Sequence, residues 1–225
     1  MIEENLKKIK AALPEHVTLV AVSKTKPNED IMEAYESGHR DFGENKVQEM
    51  TQKHEDLPKD IRWHMIGHLQ RNKVKYMAPF VHLVHGVDSL RLLKEINKQA
   101  KKHDRVIDCL LQMHIAKEST KFGLDDEELE ALLTSEEFRL MENVKIKGLM
   151  GMATFTENHN VITEEFTYLK SRFDALKERP EQWPQLDMEI LSMGMSGDYD
   201  LAISCGSTMV RIGSSIFGER SCKFK

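Results

Sequence analysis

The 225-residue chain is poor in cysteine and proline, and it has no long apolar run. Its three cysteines, Cys109, Cys205 and Cys222, are scattered, odd in number and form no CxxC pair. Reduced thiols in a cytoplasmic protein are the plain reading. No apolar stretch approaches the roughly 18 residues of a membrane span. The opening Met1-Ile2-Glu3-Glu4-Asn5-Leu6-Lys7-Lys8 lacks the apolar core and cleavage site of a signal peptide. No membrane partner is therefore expected. Positive charge is not in excess either. Against 37 Asp+Glu stand 32 Lys+Arg, a formal charge of −5, which gives no electrostatic reason to expect nucleic acid. Linkers rich in Gly, Ser or Pro are missing, as are low-complexity segments and repeats of 20–50 residues, so a single domain over 1–225 is expected.

What the chain does have is a regular alternation of element types. Ile2, Leu6, Ile9 and Leu13 form one face of an opening helix that Pro14 ends. The run Val17-Thr18-Leu19-Val20-Ala21-Val22 is apolar almost throughout, as a parallel strand covered on both faces should be. Further strands are expected to start near Asp41, Arg62, Leu83, Val106, Val144, Gln185 and Met209, with helical stretches between them. One helix starts at Pro27-Asn28 and ends at Gly38; another is capped by Asp88 or Ser89. The clearest carries Ile162, Phe166, Leu169, Phe173 and Leu176 on one face. Eight alternations predict an α/β fold, a single (β/α)8 TIM-type barrel with an extra N-terminal helix. The rival is a doubly wound open sheet, whose dinucleotide form wants GxGxxG after the first strand. That position reads Val22-Ser23-Lys24-Thr25-Lys26-Pro27, without glycine. Long intervals after strands five and six leave room for loops at 116–124 and 154–160, over the active face of a barrel. The 13 methionines are dispersed, as core gap-fillers would be.

In a barrel the chemistry sits at the C-terminal ends of the strands. Strand one leads to Lys24, whose amine would point into the mouth as a nucleophile, or would simply be a solvated lysine at a junction. Lys26 shares that face if the extended conformation persists. Strand eight reads Val210-Arg211-Ile212-Gly213-Ser214-Ser215, a glycine and two serines opening a short helix. This is a phosphate cradle or an ordinary Gly/Ser turn. Strand seven ends in Ser192-Met193-Gly194-Met195-Ser196-Gly197 beside it, and Asp198 breaks the GxSxG pattern of a nucleophile elbow. Arg211 shares the phase of Gly213 and needs a partner if buried: a cofactor heteroatom, a carboxylate or a structural ion pair. The His64/His68 spacing lacks the carboxylate of HExxH and is interrupted by Gly67, so no metal is expected. A strand-one lysine with a strand-eight phosphate cradle suits pyridoxal phosphate, held at both ends.

Five motifs carry a resemblance. They are Val20-Ala21-Val22-Ser23-Lys24-Thr25-Lys26-Pro27, Phe42-Gly43-Glu44-Asn45-Lys46-Val47-Gln48-Glu49, the run Trp63-His64-Met65-Ile66-Gly67-His68-Leu69-Gln70-Arg71-Asn72-Lys73, Ser192 to Asp198, and Gly206 to Gly213. In this order they resemble the YggS/PROSC family of pyridoxal phosphate homeostasis proteins, from Lys24 to Glu219. The resemblance implies a barrel like the N-terminal domain of alanine racemase, with pyridoxal 5′-phosphate in imine linkage to Lys24. It implies a phosphate held by Ser196, Gly213 and Ser214, Arg211 approaching the pyridine nitrogen, Asn45 near the ring, and Ser192 in the same site. The chain departs from the family pattern at Lys46, where a tyrosine is usual, and at His68, where a small residue or proline is usual.

A racemase needs a base on each face of the substrate carbon. The second base of alanine racemase comes from a separate β-domain, which a chain ending at Lys225 is expected to lack. An arginine at the pyridine nitrogen also weakens the ring as an electron sink. A cofactor carrier in monomeric form, with apo pyridoxal phosphate enzymes as acceptors, is the expectation. A weak amino-acid racemase and a Schiff-base aldolase are the alternatives.

Overall fold

The computed structural model describes residues 1–179 and 183–219; Cys222 lies outside them. The elements run α1 (Ile2–Ala12), β1 (Thr18–Val22), α2 (Asn28–Glu36), β2 (Asp41–Glu44), α3 (Val47–Asp56) and β3 (Arg62–Met65). A 3₁₀ turn, Arg71–Lys73, leads into α4 (Val74–Met77), then β4 (Leu83–Val87), α5 (Leu90–Lys102) and β5 (Ile107–Gln112). The chain continues through α6 (Asp126–Thr134), α7 (Glu136–Arg139), β6 (Val144–Met150), α8 (His159–Lys177) and β7 (Leu186–Ser192). It closes with α9 (Tyr199–Ser204), β8 (Met209–Ile212) and α10 (Ser214–Phe217). The eight strands form a closed parallel barrel in sequential order, β8 pairing back onto β1 with Val20 beside Arg211. The expected (β/α)8 fold with its extra N-terminal helix is therefore the fold observed, and α1 is tied on by Asn5 Nδ2 donating to Ile216 O at 2.9 Å.

Strand alternation sorts side chains into two cores. The outward set, Phe42, Trp63, Val84, Leu111, Leu191 and Val210 among others, packs under the helices. The inward set is small: Val20, Leu83, Leu110, Met150 and Met209. A barrel interior is normally filled by bulky branched residues. Here inward positions on β3, β4, β7 and β8 hold His64, His85, Ser192 and Arg211 instead, all buried. Gly148 is required where β6 meets β7, because a Cβ there would lie 1.6 Å from Ile190 O.

Candidate functional site

A cavity of about 310 Å³ opens at the C-terminal ends of β1, β7 and β8. Its lining includes Lys24, Lys26, Ser196, Arg211, Gly213 and Ser214. Lys24 sits two residues beyond β1 and keeps the inward phase of Val20 and Val22. The extended conformation does not persist through Lys26: Thr25 has φ of 64°, and Lys26 N donates back to Ser23 O at 3.0 Å. The chain reverses there, yet Lys26 still lines the cavity, with Nζ donating to Gly218 O at 3.1 Å.

The turn carrying Lys24 is held from behind. Glu49 of α3 accepts from Thr25 N at 2.8 and 3.1 Å. Lys53, one turn further on α3, donates to Ser23 O at 2.8 Å, to Glu44 Oε1 at 2.5 Å and to Glu49 Oε2 at 3.1 Å. Ser23 Oγ also donates to Glu44 Oε1 at 2.8 Å. Burial, partly offset by Lys53, pushes the Glu44 carboxyl up to about 7. Its other oxygen, Oε2, has no hydrogen-bond partner among the described residues.

Opposite Lys24, the 195–198 turn is closed by Met195 N donating to Asp198 Oδ1 at 2.8 Å and Asp198 N to Met195 O at 3.1 Å. This presents Ser196 and Gly197, and a Cβ on Gly197 would meet nothing within 4 Å. Gly213 faces the same space, where a Cβ would press on Val22 at 3.2 Å. Ser214 opens α10, and the first N–H groups of a helix lack intrahelical acceptors. Arg211, 3% exposed, donates through Nη1 to Ser192 O at 3.0 Å and to Ser192 Oγ, and through Nη2 to Gly151 O at 3.2 Å. Burial pushes its pKa down to about 10, so it remains a cation at neutral pH.

The structure thus brings Lys24, Ser196, Arg211, Gly213 and Ser214 to one cavity. Ser192 is fully buried beneath Arg211 and supports it. Asn45 lines a neighbouring depression with Lys46, Gln48 and His68. There His68 stacks on Phe122, ring centroids 3.8 Å apart. His64 and His68 share no site: His64 bonds inward to His85 and Asp41, while His68 Nδ1 lies 3.7 Å from Asp88. Asp41, His64 and His82 offer ligand atoms within 4.8 Å of one another. Arg62 occupies both Asp41 oxygens at 2.9 Å, so a cation would have to displace it. Sequence reading missed the Glu44–Glu49–Lys53 clamp and the partners of His64; only the inward phase shared by His64 and His85 pointed to the latter.

An amine, a guanidinium and a set of glycines and serines around one barrel mouth make this the candidate site of a (β/α)8 scaffold. The model of the alanine racemase N-terminal domain matches residues 1–221, and the chain belongs to that family. It is 41% identical over 204 residues to the pyridoxal phosphate homeostasis protein of Aquifex aeolicus, covering 90% of this chain and 86% of the relative. The Escherichia coli K12 protein of the same name is 37% identical over 211 residues, with 92% and 87% covered. PipY of Synechococcus elongatus PCC7942, solved with PLP bound, superposes with a TM-score of 0.87 at 36% identity, over 97% of this chain and 100% of PipY. Alanine racemase of Clostridium difficile 630 shares the fold (TM-score 0.75, 15% identity), this chain covering 58% of its length. Among the described residues, no helix is long and apolar enough to cross a membrane.

Proposed function

We propose that the chain binds pyridoxal 5′-phosphate covalently on Lys24 and serves cofactor homeostasis, holding the cofactor and releasing it to apo pyridoxal phosphate enzymes. One observation carries the reading: Lys24, Arg211 and the Ser196/Gly213/Ser214 cradle converge on one cavity of ligand size, in a chain 36% identical to a protein solved with PLP bound. The donor set fits the group. When bound, the cofactor would supply an aldehyde, and the Lys24 amine would be the group to condense with it, with loss of water. Ser196, Ser214 and the amides near Gly197 and Gly213 would hold the phosphate. Arg211 would stand at the ring nitrogen, and Asn45 at the edge of the site. An open mouth would give an incoming amine access to the Lys24 position. We read the protein as a monomer, and as cytoplasmic in line with the free thiols of Cys109 and Cys205.

The test is an absorption spectrum after incubation with pyridoxal phosphate, then borohydride reduction and peptide mass mapping. The expected result is a visible band fixed onto Lys24, absent in Lys24→Ala, and a cofactor that moves to an added apo acceptor enzyme. Modification spread over surface lysines would refute the site. Full retention in the presence of acceptor would refute delivery.

A further inference from the structure

The cofactor reading leaves two buried histidines without a role. His64 on β3 and His85 on β4 stand inside the barrel, where apolar side chains would fill the space without any desolvation penalty. They are links in an unbroken series. Arg211 Nη1 donates to Ser192 Oγ, which lies 2.9 Å from His85 Nδ1. His85 Nε2 is 2.9 Å from His64 Nδ1, and His64 Nε2 is 2.9 Å from Asp41 Oδ1. Asp41 opens β2 at the opposite end of the barrel from the cavity.

Donor chemistry sets the direction of the series. A guanidinium only donates. Ser192 Oγ accepts from it, and its one hydrogen then goes to His85 Nδ1. A neutral imidazole accepting at Nδ1 carries its hydrogen on Nε2, so His85 donates to His64 Nδ1. The same rule puts the His64 hydrogen on Nε2, facing a carboxylate that only accepts. In this arrangement every donor meets an acceptor. Burial, then the neighbouring His64 and Arg211, hold the His85 pKa well below the usual imidazole range. Burial alone would raise Asp41, but hydrogen bonds from His64 and Arg62 outweigh it and keep the group a carboxylate. Aligned bonds of this kind polarise one another.

We propose that His85, His64 and Ser192 are positioning residues for Arg211, forming a one-directional relay that ties the cavity guanidinium to the Asp41 carboxylate at the far end of the barrel. The consequence is that a charge change at Asp41 is felt by a cofactor in the cavity. This consequence rests on the pyridoxal phosphate reading; the direction of the relay is a property of the ligand-free chain.

Nitrogen-15 histidine NMR of the full-length, ligand-free protein tests the direction, with His64→Gln and His85→Asn used for assignment. At pH 8 both rings are expected to carry hydrogen on Nε2 and a bare Nδ1; hydrogen on Nδ1 of either ring overturns the relay. Asp41→Asn, outside the cavity lining, tests the reach, with a thermal melt to verify folding. It should move the His85 nitrogen signals, displace the visible band of the pyridoxal phosphate-loaded protein and weaken pyridoxal phosphate binding by roughly threefold, the scale of one hydrogen bond. His82→Ala, at the same end but outside the series, should leave the band in place. An unmoved band in both Asp41→Asn and Ser192→Ala, or an equal shift in His82→Ala, would reduce the histidines to packing. Absence of any Lys24 adduct in the native chain would instead sink the cofactor reading, and the relay's role with it, whatever the nitrogen spectra show.

Discussion

Thr25 reverses the chain directly after Lys24. Its φ of 64° lies in the left-handed region, which costs a residue with a Cβ roughly 1–2 kcal/mol. Glu49 secures that conformation by accepting the Thr25 amide, and Lys53 secures Glu49 while also binding Glu44 and the Ser23 carbonyl. Lys53 thus pairs with two carboxylates at once, in a space where Glu44 is fully buried. Lys53→Met keeps the volume and removes the charge. Urea unfolding should show a loss of about 3 kcal/mol, the scale of a broken buried ion pair. A loss well below 1 kcal/mol would mean that packing alone holds the turn. That Lys24, Gly213 and Ser214 would meet at one end of the barrel was legible because strand phase is local information. The reversal at Thr25 was not, since it is imposed by α3 side chains more than twenty residues away, and nothing in Ser23-Lys24-Thr25-Lys26 announces it. The partners of Arg211 were hidden for the same reason: Ser192 on β7 and Gly151 just past β6 are far from it in sequence.

At the scale of elements, the predicted strand starts fall within one residue of the observed ones, from Thr18 for β1 to Met209 for β8. Strands buried on both faces are near-continuous apolar runs, and polar helix ends bracket them, so the boundary is written in composition. Of the two caps expected for α5, Asp88 and Ser89, it is Ser89 whose Oγ accepts from Leu92 N, at 3.1 Å. Short helices such as α7 and α9 escaped because four to six residues cannot show a period of 3.6. Helix α8 is the opposite case. Its five-residue stripe from Ile162 to Leu176 is buried, and Phe166 is inaccessible to water. Phe166→Ala should therefore lower stability by about 3–5 kcal/mol. Phe155, 96% exposed on the loop before α8, should change it by less than about 0.5 kcal/mol when replaced by alanine. Chemical denaturation of the pair checks the contrast, and equal losses would place the α8 stripe outside the cooperative core.

Over the whole molecule, the buried titratable groups pull against each other. Burial lowers His39 to about 4 and takes His85 well below its ordinary value. Both rings are protonated in the unfolded chain below about 6.5 but stay neutral in the native one. The unfolded state then binds more protons, so their contribution is fully present above pH 6.5 and is lost as pH falls. His82 is also lowered to about 4 by burial, but its surface is open to water and screening shrinks its share. Glu44 has the opposite sign. With its pKa raised to about 7, the native state binds more protons than the unfolded state between about 4.5 and 7, and stability gains as pH falls through that window. Near pH 5.5 two buried imidazoles oppose one carboxyl, a net uptake of about one proton on unfolding, or roughly 1 kcal/mol per pH unit. Replacing Glu44 with glutamine removes the opposing group and should about double that slope. The slope is read from urea midpoints between pH 5 and 6.5 in the native chain and in Glu44→Gln. An unchanged slope would show that Lys53 keeps Glu44 ionised throughout, so that the clamp behind Lys24 is a permanent ion pair and not a protonation-sensitive one.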